Sequence, residues 1–146
     1  MSTDLPSRAD FPHTLPIQTR WNDNDVYGHV NNVVYYAYFD TVINRWLIDE
    51  GGLHPATSVA IGLCVESQCR YLAPAAYPDD LVAGLRVAKI GRSSVRYEIG
   101  IFRAPANGEL VALGHFVHVF VDRAGRRPAP IPDRIRRALE RLLVSR

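Results

Sequence analysis

The chain has 146 residues, enough for one domain with a sizeable core and too few for two. Its 47% hydrophobic content excludes a disordered chain, and 17 basic against 15 acidic side chains leave a net charge of +2, which gives no ground for a nucleic-acid or membrane-surface partner. No apolar stretch approaches the roughly 20 residues of a membrane helix. The start, MSTDLPSRADFPHTLP, lacks the apolar region of a secretory leader, so a cytoplasmic protein is expected.

Residues 1–13 are polar and proline-containing and read as a flexible tail ahead of a single domain over 14–146. In TLPIQTRWN (14–22), Leu15, Ile17, Thr19 and Trp21 alternate with Pro16, Gln18 and Arg20, which predicts a first strand. A polar cluster follows from Asn22 to Asn32. From Asn32 to Glu50 the pattern is helical, and Gly51-Gly52 stop it. Val33, Val34, Tyr35, Tyr36, Tyr38, Phe39, Val42, Ile43, Trp46 and Leu47 leave only a narrow polar stripe, so this helix should be buried with something wrapped around it.

Residues 59–73, 80–91, 94–104 and 109–122 read as long strands. They are separated by turn signals at Ala73-Pro74 with Pro78-Asp79-Asp80, at Gly91-Arg92-Ser93 and at Pro105-Ala106-Asn107-Gly108. Short connections imply antiparallel pairing. A final amphipathic segment, about 132–144, sets Ile135, Leu139, Leu142 and Leu143 against Arg134, Arg136, Arg137 and Arg141 and should be helical. The order β-α-β-β-β-β-α gives an α+β class: one long helix cradled by a five-stranded antiparallel sheet, plus a short C-terminal helix. The outer face of such a sheet still carries apolar residues, which argues for an oligomer.

Cys64 and Cys69 stand five apart in one predicted strand. They should face opposite ways, so no mutual disulfide and no zinc pattern is expected. His115 and His118 likewise point to opposite faces and read as satisfied sheet residues. Residues 1–73 carry 4 basic and 8 acidic side chains, whereas residues 74–146 carry 13 and 7. Nearly all the cations are arginine, which holds phosphate in bidentate geometry, so the second half suits a phosphorylated ligand. It equally suits a solvated surface.

The chemistry concentrates in TRWNDNDVYGHVNN (19–32), where the chain leaves a strand and enters the buried helix. Asn31 or Asn32 can cap that helix. The amides of its first turn, with the helix dipole, favour developing negative charge. Gly28 allows a turn and a close approach of ligand to backbone. A carboxylate beside a helix N-terminus, with no nucleophilic serine or cysteine, fits acyl transfer from an activated ester. Such a carboxylate, ordinarily titrating near 4, attacks directly or deprotonates a water. It cannot readily protonate a leaving group, but a thiol of pKa about 8.5 leaves with little help. The same residues also read as turn and cap residues alone.

The stretch RWNDNDVYGHVNNVVY (20–35), with Phe39 downstream, resembles the signature of the 4-hydroxybenzoyl-CoA thioesterase family of hotdog-fold acyl-CoA thioesterases. RYLAPAAYPDDL (70–81) is similar to the family's second-strand pattern, except that Pro78 stands where a glycine is usual. KIGRSSV (89–95) looks like its next hairpin. The resemblance implies a hotdog fold with the helix at 32–50 as its centre, and Asp25 as nucleophile or general base. It implies an oxyanion site at backbone amides around Gly28, Val30, Asn31 and Asn32. It also implies a pantetheine arm along a subunit interface of a homodimer or homotetramer. Lys89, Arg92 and Ser93 are then candidates to hold the CoA phosphates, with Arg126 and Arg127 behind them. No metal or redox cofactor is implied, coenzyme A being part of the substrate. Other branches carry a tyrosine-histidine pair at Asn31-Asn32, so Asn32 either orients the thioester or only caps the helix.

His29 is a candidate proton carrier or a packed turn residue. Glu66 is a possible secondary carboxylate, since some hotdog thioesterases draw theirs from that region, or else a solvent-facing strand residue. Two other readings compete: an acyl-CoA-binding or regulatory module that would not need Asp25, and a hotdog hydratase or dehydratase, whose D-x-N-x-x-H run is absent.

Overall fold

The computed structural model describes residues 5–104 and 108–144. Five strands, β1 (His13–Gln18), β2 (Ala60–Tyr71), β3 (Asp80–Ile90), β4 (Ser94–Arg103) and β5 (Leu110–Asp122), form one antiparallel sheet of order β1-β3-β4-β5-β2. The long helix α1 (Asn32–Asp49) connects β1 to β2, and the short helix α2 (Asp133–Glu140) follows β5. This is the hotdog fold. It differs from the sequence reading at element ends: β1 stops at Gln18, Trp21–Asp23 form a 3₁₀ turn, and α2 ends at Glu140. The turn expected at 105–108 falls mainly outside the described residues.

The strands curl because a twisted sheet wraps what packs on one face. Phe39, Val42, Ile43 and Leu47 of α1 are fully buried against Leu85, Tyr97, Ile99, Val111 and Phe120. Burying each such side chain contributes roughly 2 kcal/mol. The wrapping is one-sided: Val33, Ala37, Thr41 and Ile48 on the far side of α1 stay exposed. The all-round apolar pattern of the helix therefore exceeds what one chain covers.

Helix α2 closes the C-terminal end of α1. Ile135, Ala138 and Leu139 are buried, and the Trp46 indole N–H donates to the Ala138 carbonyl at 3.1 Å. Beyond His13, where β1 begins, the C-terminal segment takes over the edge of β3. There Val87 donates to the Leu142 carbonyl and accepts from the Val144 amide, in a parallel bridge.

The segment expected as a flexible tail has its own structure. Residues 1–4 lie outside the described residues, but Arg8–Asp10 form a 3₁₀ turn and Phe11 is buried. Phe11 lies on the outer face of the sheet over Gly84 and Gly100, where added Cβ atoms would come within 2.6 and 2.9 Å of its ring. Those glycines admit the ring, and the Arg86 guanidinium covers it at 4.8 Å. The chain thus covers part of its own outer face.

A bulge between Cys64 and Glu66 shifts the register of β2 against β5. Cys64 pairs with His118 and Cys69 with Gly114, so both cysteines share one face rather than opposite faces. Both are free.

Candidate active site

The turn between β1 and α1 is built by Asp23. Its buried carboxylate accepts from the Arg20 amide at 2.9 Å, the Arg20 guanidinium at 2.9 Å and the Tyr38 hydroxyl at 2.8 Å. Burial pushes this carboxyl up, but the hydrogen bonds from Arg20 and Tyr38 outweigh it and hold the group below its ordinary value. Burial and Asp23 together push the Tyr38 phenol well up. Asp23 is thereby committed to structure.

Asp25 is different. It is half-buried, and its carboxylate accepts only from the Tyr27 amide at 2.9 Å and the Asn31 side-chain amide at 3.3 Å among the described residues. Gly28, at φ +85°, closes the turn by donating its amide to the Asp25 carbonyl at 3.0 Å. Asn31 is the helix cap: its Oδ1 accepts from the Val33 amide at 2.9 Å. This decides between the two asparagines. Asn32 is the first helical residue, and its side chain has no hydrogen-bond partner among the described residues.

The amides expected to face a developing oxyanion divide the same way. Val30 donates to the Ala75 carbonyl at 2.7 Å and Asn31 to the Asp23 carbonyl at 2.9 Å, so neither is available, a correction to the set inferred from sequence. Gly28 is likewise engaged. The Asn32 amide meets no acceptor among the described residues. It stands at the positive end of an 18-residue helix.

Loop 74–79 braces this turn. Besides the Val30–Ala75 bond, the Tyr77 amide donates to Asn24 Oδ1 at 2.9 Å. The Thr19 hydroxyl donates to the Asp79 carbonyl at 2.6 Å, and Arg103 holds the Asp79 carboxylate at 2.7 Å.

A recess of about 450 Å³ opens at the helix N-terminus and brings Asp25, His29, Val30 and Asn32 together with Tyr27, Tyr35 and the stretch Tyr71–Pro74. Tyr71, from the end of β2, donates its hydroxyl to the Asn32 carbonyl at 3.0 Å and packs edge-on against Tyr35 at 5.4 Å. Burial pushes the Tyr71 phenol up and Cys69 next to it up to about 11. Both therefore stay protonated at neutral pH. Sequence reasoning did not single out Tyr71 as a lining residue. Its signal is an aromatic side chain at the exit of a strand, just before the Leu72-Ala73-Pro74 turn.

The remaining candidates lie elsewhere. Glu66 faces the outer side of the sheet, where its carboxylate meets His115 Nε2 at 2.7 Å. It is not in the recess with Asp25. His118 faces the inner side, where its Nδ1 is 3.0 Å from the Tyr97 hydroxyl. Lys89, Arg92 and Ser93 sit at the far end of β3, a strand of 11 residues, about 35 Å long. The Arg92 carbonyl accepts from Arg136 at 3.2 Å and the Ser93 carbonyl from the Phe120 amide at 2.7 Å. Within one chain these three do not meet Asp25.

A helix N-terminus with an uncommitted amide, a carboxylate beside it and a hotdog scaffold place the chain among thioesterase-like proteins. It belongs to the Thioesterase-like superfamily, whose model matches residues 19–139. Among solved structures it resembles the PA5185 protein from Pseudomonas aeruginosa strain PAO1, with 51% identity, coverage of 96% of this chain and 97% of that one, and a TM-score of 0.91. A thioesterase from Thermus thermophilus complexed with coenzyme A and zinc shares 31% identity over 91% of this chain and 95% of that one, at a TM-score of 0.74. A 1,4-dihydroxy-2-naphthoyl-CoA thioesterase from Synechocystis, Slr0204, shares the fold at 22% identity and a TM-score of 0.78, covering 86% of this chain and 93% of that one. No curated protein sequence matches. No helix among the described residues is long and apolar enough to cross a membrane.

Proposed function

We propose that the protein hydrolyses an acyl-CoA thioester to the free acid and coenzyme A. The observation that carries this reading is the division of labour at the turn. Asp23 is buried and fully bonded. Asp25, two residues on, faces a recess beside the Asn32 amide, which is uncommitted among the described residues.

Asp25 deprotonates the attacking water, or attacks the thioester carbonyl itself to give an anhydride that water then hydrolyses, freeing the acid and Asp25. The carbonyl oxygen becomes an oxyanion, which the Asn32 amide and the positive end of α1 stabilise. The leaving thiolate needs little protonation because its pKa is only about 8.5. The Asn32 side chain and His29, which both line the recess, orient the thioester or the water. The coenzyme A found on the Thermus thermophilus relative supports coenzyme A as the leaving group.

The working unit is a homodimer or homotetramer. The long edge strand β2 is largely exposed, including Val65, and carries neither lysine nor proline to discourage pairing. In such an assembly Lys89, Arg92 and Ser93 reach a neighbour's coenzyme A.

The test is thiol release from a panel of short, medium, long and aryl acyl-CoAs by the native protein and by Asp25→Asn. Turnover in the native protein with a loss of at least about a hundredfold in the variant is expected. Unchanged hydrolysis by Asp25→Asn would refute the mechanism. Tight acyl-CoA binding with no thiol release from any substrate would favour a binding module instead.

A further inference from the structure

Asp25 borders not one recess but two. The second, about 690 Å³, lies on the other side of the turn and is walled by Trp21, Asn24, Val26, Tyr27 and Asn31. Its apolar side chains are unusually bare: Trp21 is 75% exposed, Tyr27 84% and Val26 94%. Three large apolar groups open to water beside a carboxylate mark a surface that something else covers.

The wall is also fixed in place. Trp21 starts the 3₁₀ turn that Asp23 locks, and its carbonyl accepts from the Asn24 amide. Its indole meets the Tyr77 ring edge-on at 5.9 Å, and Tyr77 is tied back through its amide to Asn24. A rigid aromatic face costs little conformational entropy when it binds an apolar group.

A thioester sends two arms in opposite directions from its carbonyl carbon. One is the acyl group; the other is the pantetheine chain, with its two amides. If Asp25 reaches the carbonyl, each arm takes one recess. The first recess presents His29, Asn32, Tyr27 and Tyr71, whose polar groups suit a chain of amides, beside Val30, Tyr35 and the stretch 72–74. The second, though Asn22, Asn24 and Asn31 also line it, presents the larger bare apolar surface, that of Trp21, Val26 and Tyr27, which suits hydrocarbon. We propose that the acyl arm lies in the second recess and that Trp21 is a specificity-determining residue, favouring large apolar acyl groups over acetyl. This rests on the thioesterase reading and assigns the two arms of its substrate.

The experiment compares kcat/KM for acetyl-, butyryl-, hexanoyl-, octanoyl- and benzoyl-CoA in the native protein, Trp21→Ala and Trp21→Phe. In Trp21→Ala, values for hexanoyl-, octanoyl- and benzoyl-CoA should fall about tenfold or more relative to acetyl-CoA, mostly through KM. Trp21→Phe should recover most of the loss. A uniform change across all acyl groups, or none, overturns the assignment. So does a drop in the mass of Trp21→Ala by light scattering, which would make the indole a subunit contact.

A second readout does not depend on turnover. The chain has two tryptophans, and Trp46 is buried. In Asp25→Asn, octanoyl-CoA should shift the emission of exposed Trp21 while coenzyme A alone does not, and Trp21→Phe should abolish the shift. An equal response to coenzyme A alone would reverse the arms and overturn the proposal. Absence of turnover with every acyl-CoA would sink the thioesterase reading, while the emission shift still reports what enters the recess.

Discussion

The side chain of Asn31 faces two ways: its Oδ1 accepts from the Val33 amide at 2.9 Å, and its Nδ2 donates to the Asp25 carboxylate at 3.3 Å. One amide thus caps the helix and holds the reactive group. Replacing it separates the two jobs. Asn31→Ala should lose about 1 kcal/mol of stability and most of the activity. Asn31→Asp should keep the cap and the melting temperature but place a like charge against Asp25, so that kcat falls at near-native stability. Thermal melting alongside kcat for the two variants checks this; equal melting losses would show that the cap is not what Asn31 supplies.

The paired aspartates should respond in opposite senses. Asp23→Asn weakens the bonds from Arg20 and Tyr38 in a buried place and should cost about 2 kcal/mol or more. Asp25→Asn should melt near the native temperature with activity lost. The Asp23 carboxyl is held below its ordinary value of 3.8, so its contribution is present above that pH and is lost as pH falls through the lower folded-state value. A melting series in acid on native protein and Asp23→Asn should show the two curves converging at the acid end.

His118 gives a second pH effect, in a different window. It is buried beside Tyr97, Phe116 and Phe120, and burial lowers it from 6.5 to about 4. Above pH 6.5 the residue is neutral folded or unfolded. Between 6.5 and 4 the unfolded chain takes up the proton and the folded one does not. Up to about 3 kcal/mol of stability is therefore lost across that window. Denaturant melts at about pH 7, 6, 5 and 4 should show the slope, and His118→Phe should flatten it. A His118→Phe profile parallel to the native one would assign the loss to other groups.

Gly84→Ala should destabilise by about 1–3 kcal/mol, because its Cβ would stand 2.6 Å from Phe11 Cγ. The double variant Phe11→Ala/Gly84→Ala should cost less than the sum of the single changes. Strict additivity in the cycle would mean that Phe11 does not seat on Gly84.

Much of this was legible along the chain. The helix from Asn32 announced itself through its apolar density and the Gly51-Gly52 stop, and the strands through alternation between turn residues. Asp25 stood out because an acidic pair before a buried helix needs a reason. What was not legible depends on contacts between distant segments. Whether the Val30 and Asn31 amides are free is decided by Ala75 and Asp23 carbonyls that a turn brings up, and spacing does not report that. Cys64 and Cys69 changed relative facing because one extra residue, Val65, bulges in β2. The same bulge sets Glu66 on the outer face beside His115, the solvent-facing one of its two readings. Residues 1–13 read as a flexible tail because a lone Phe11 carries no periodicity; only the paired glycines on β3 and β4 reveal its seat.

Two stretches far apart in the chain fasten to the same strand. Phe11 lies over Gly84, and Leu142 and Val144 hydrogen-bond to Val87, about 10 Å further along β3. β3 is therefore clamped on its outer face by one stretch and along its edge by the other. Pulling either stretch away should loosen β3 locally, while the turn that carries Asp25, at the opposite end of α1 from α2, keeps its own bonds.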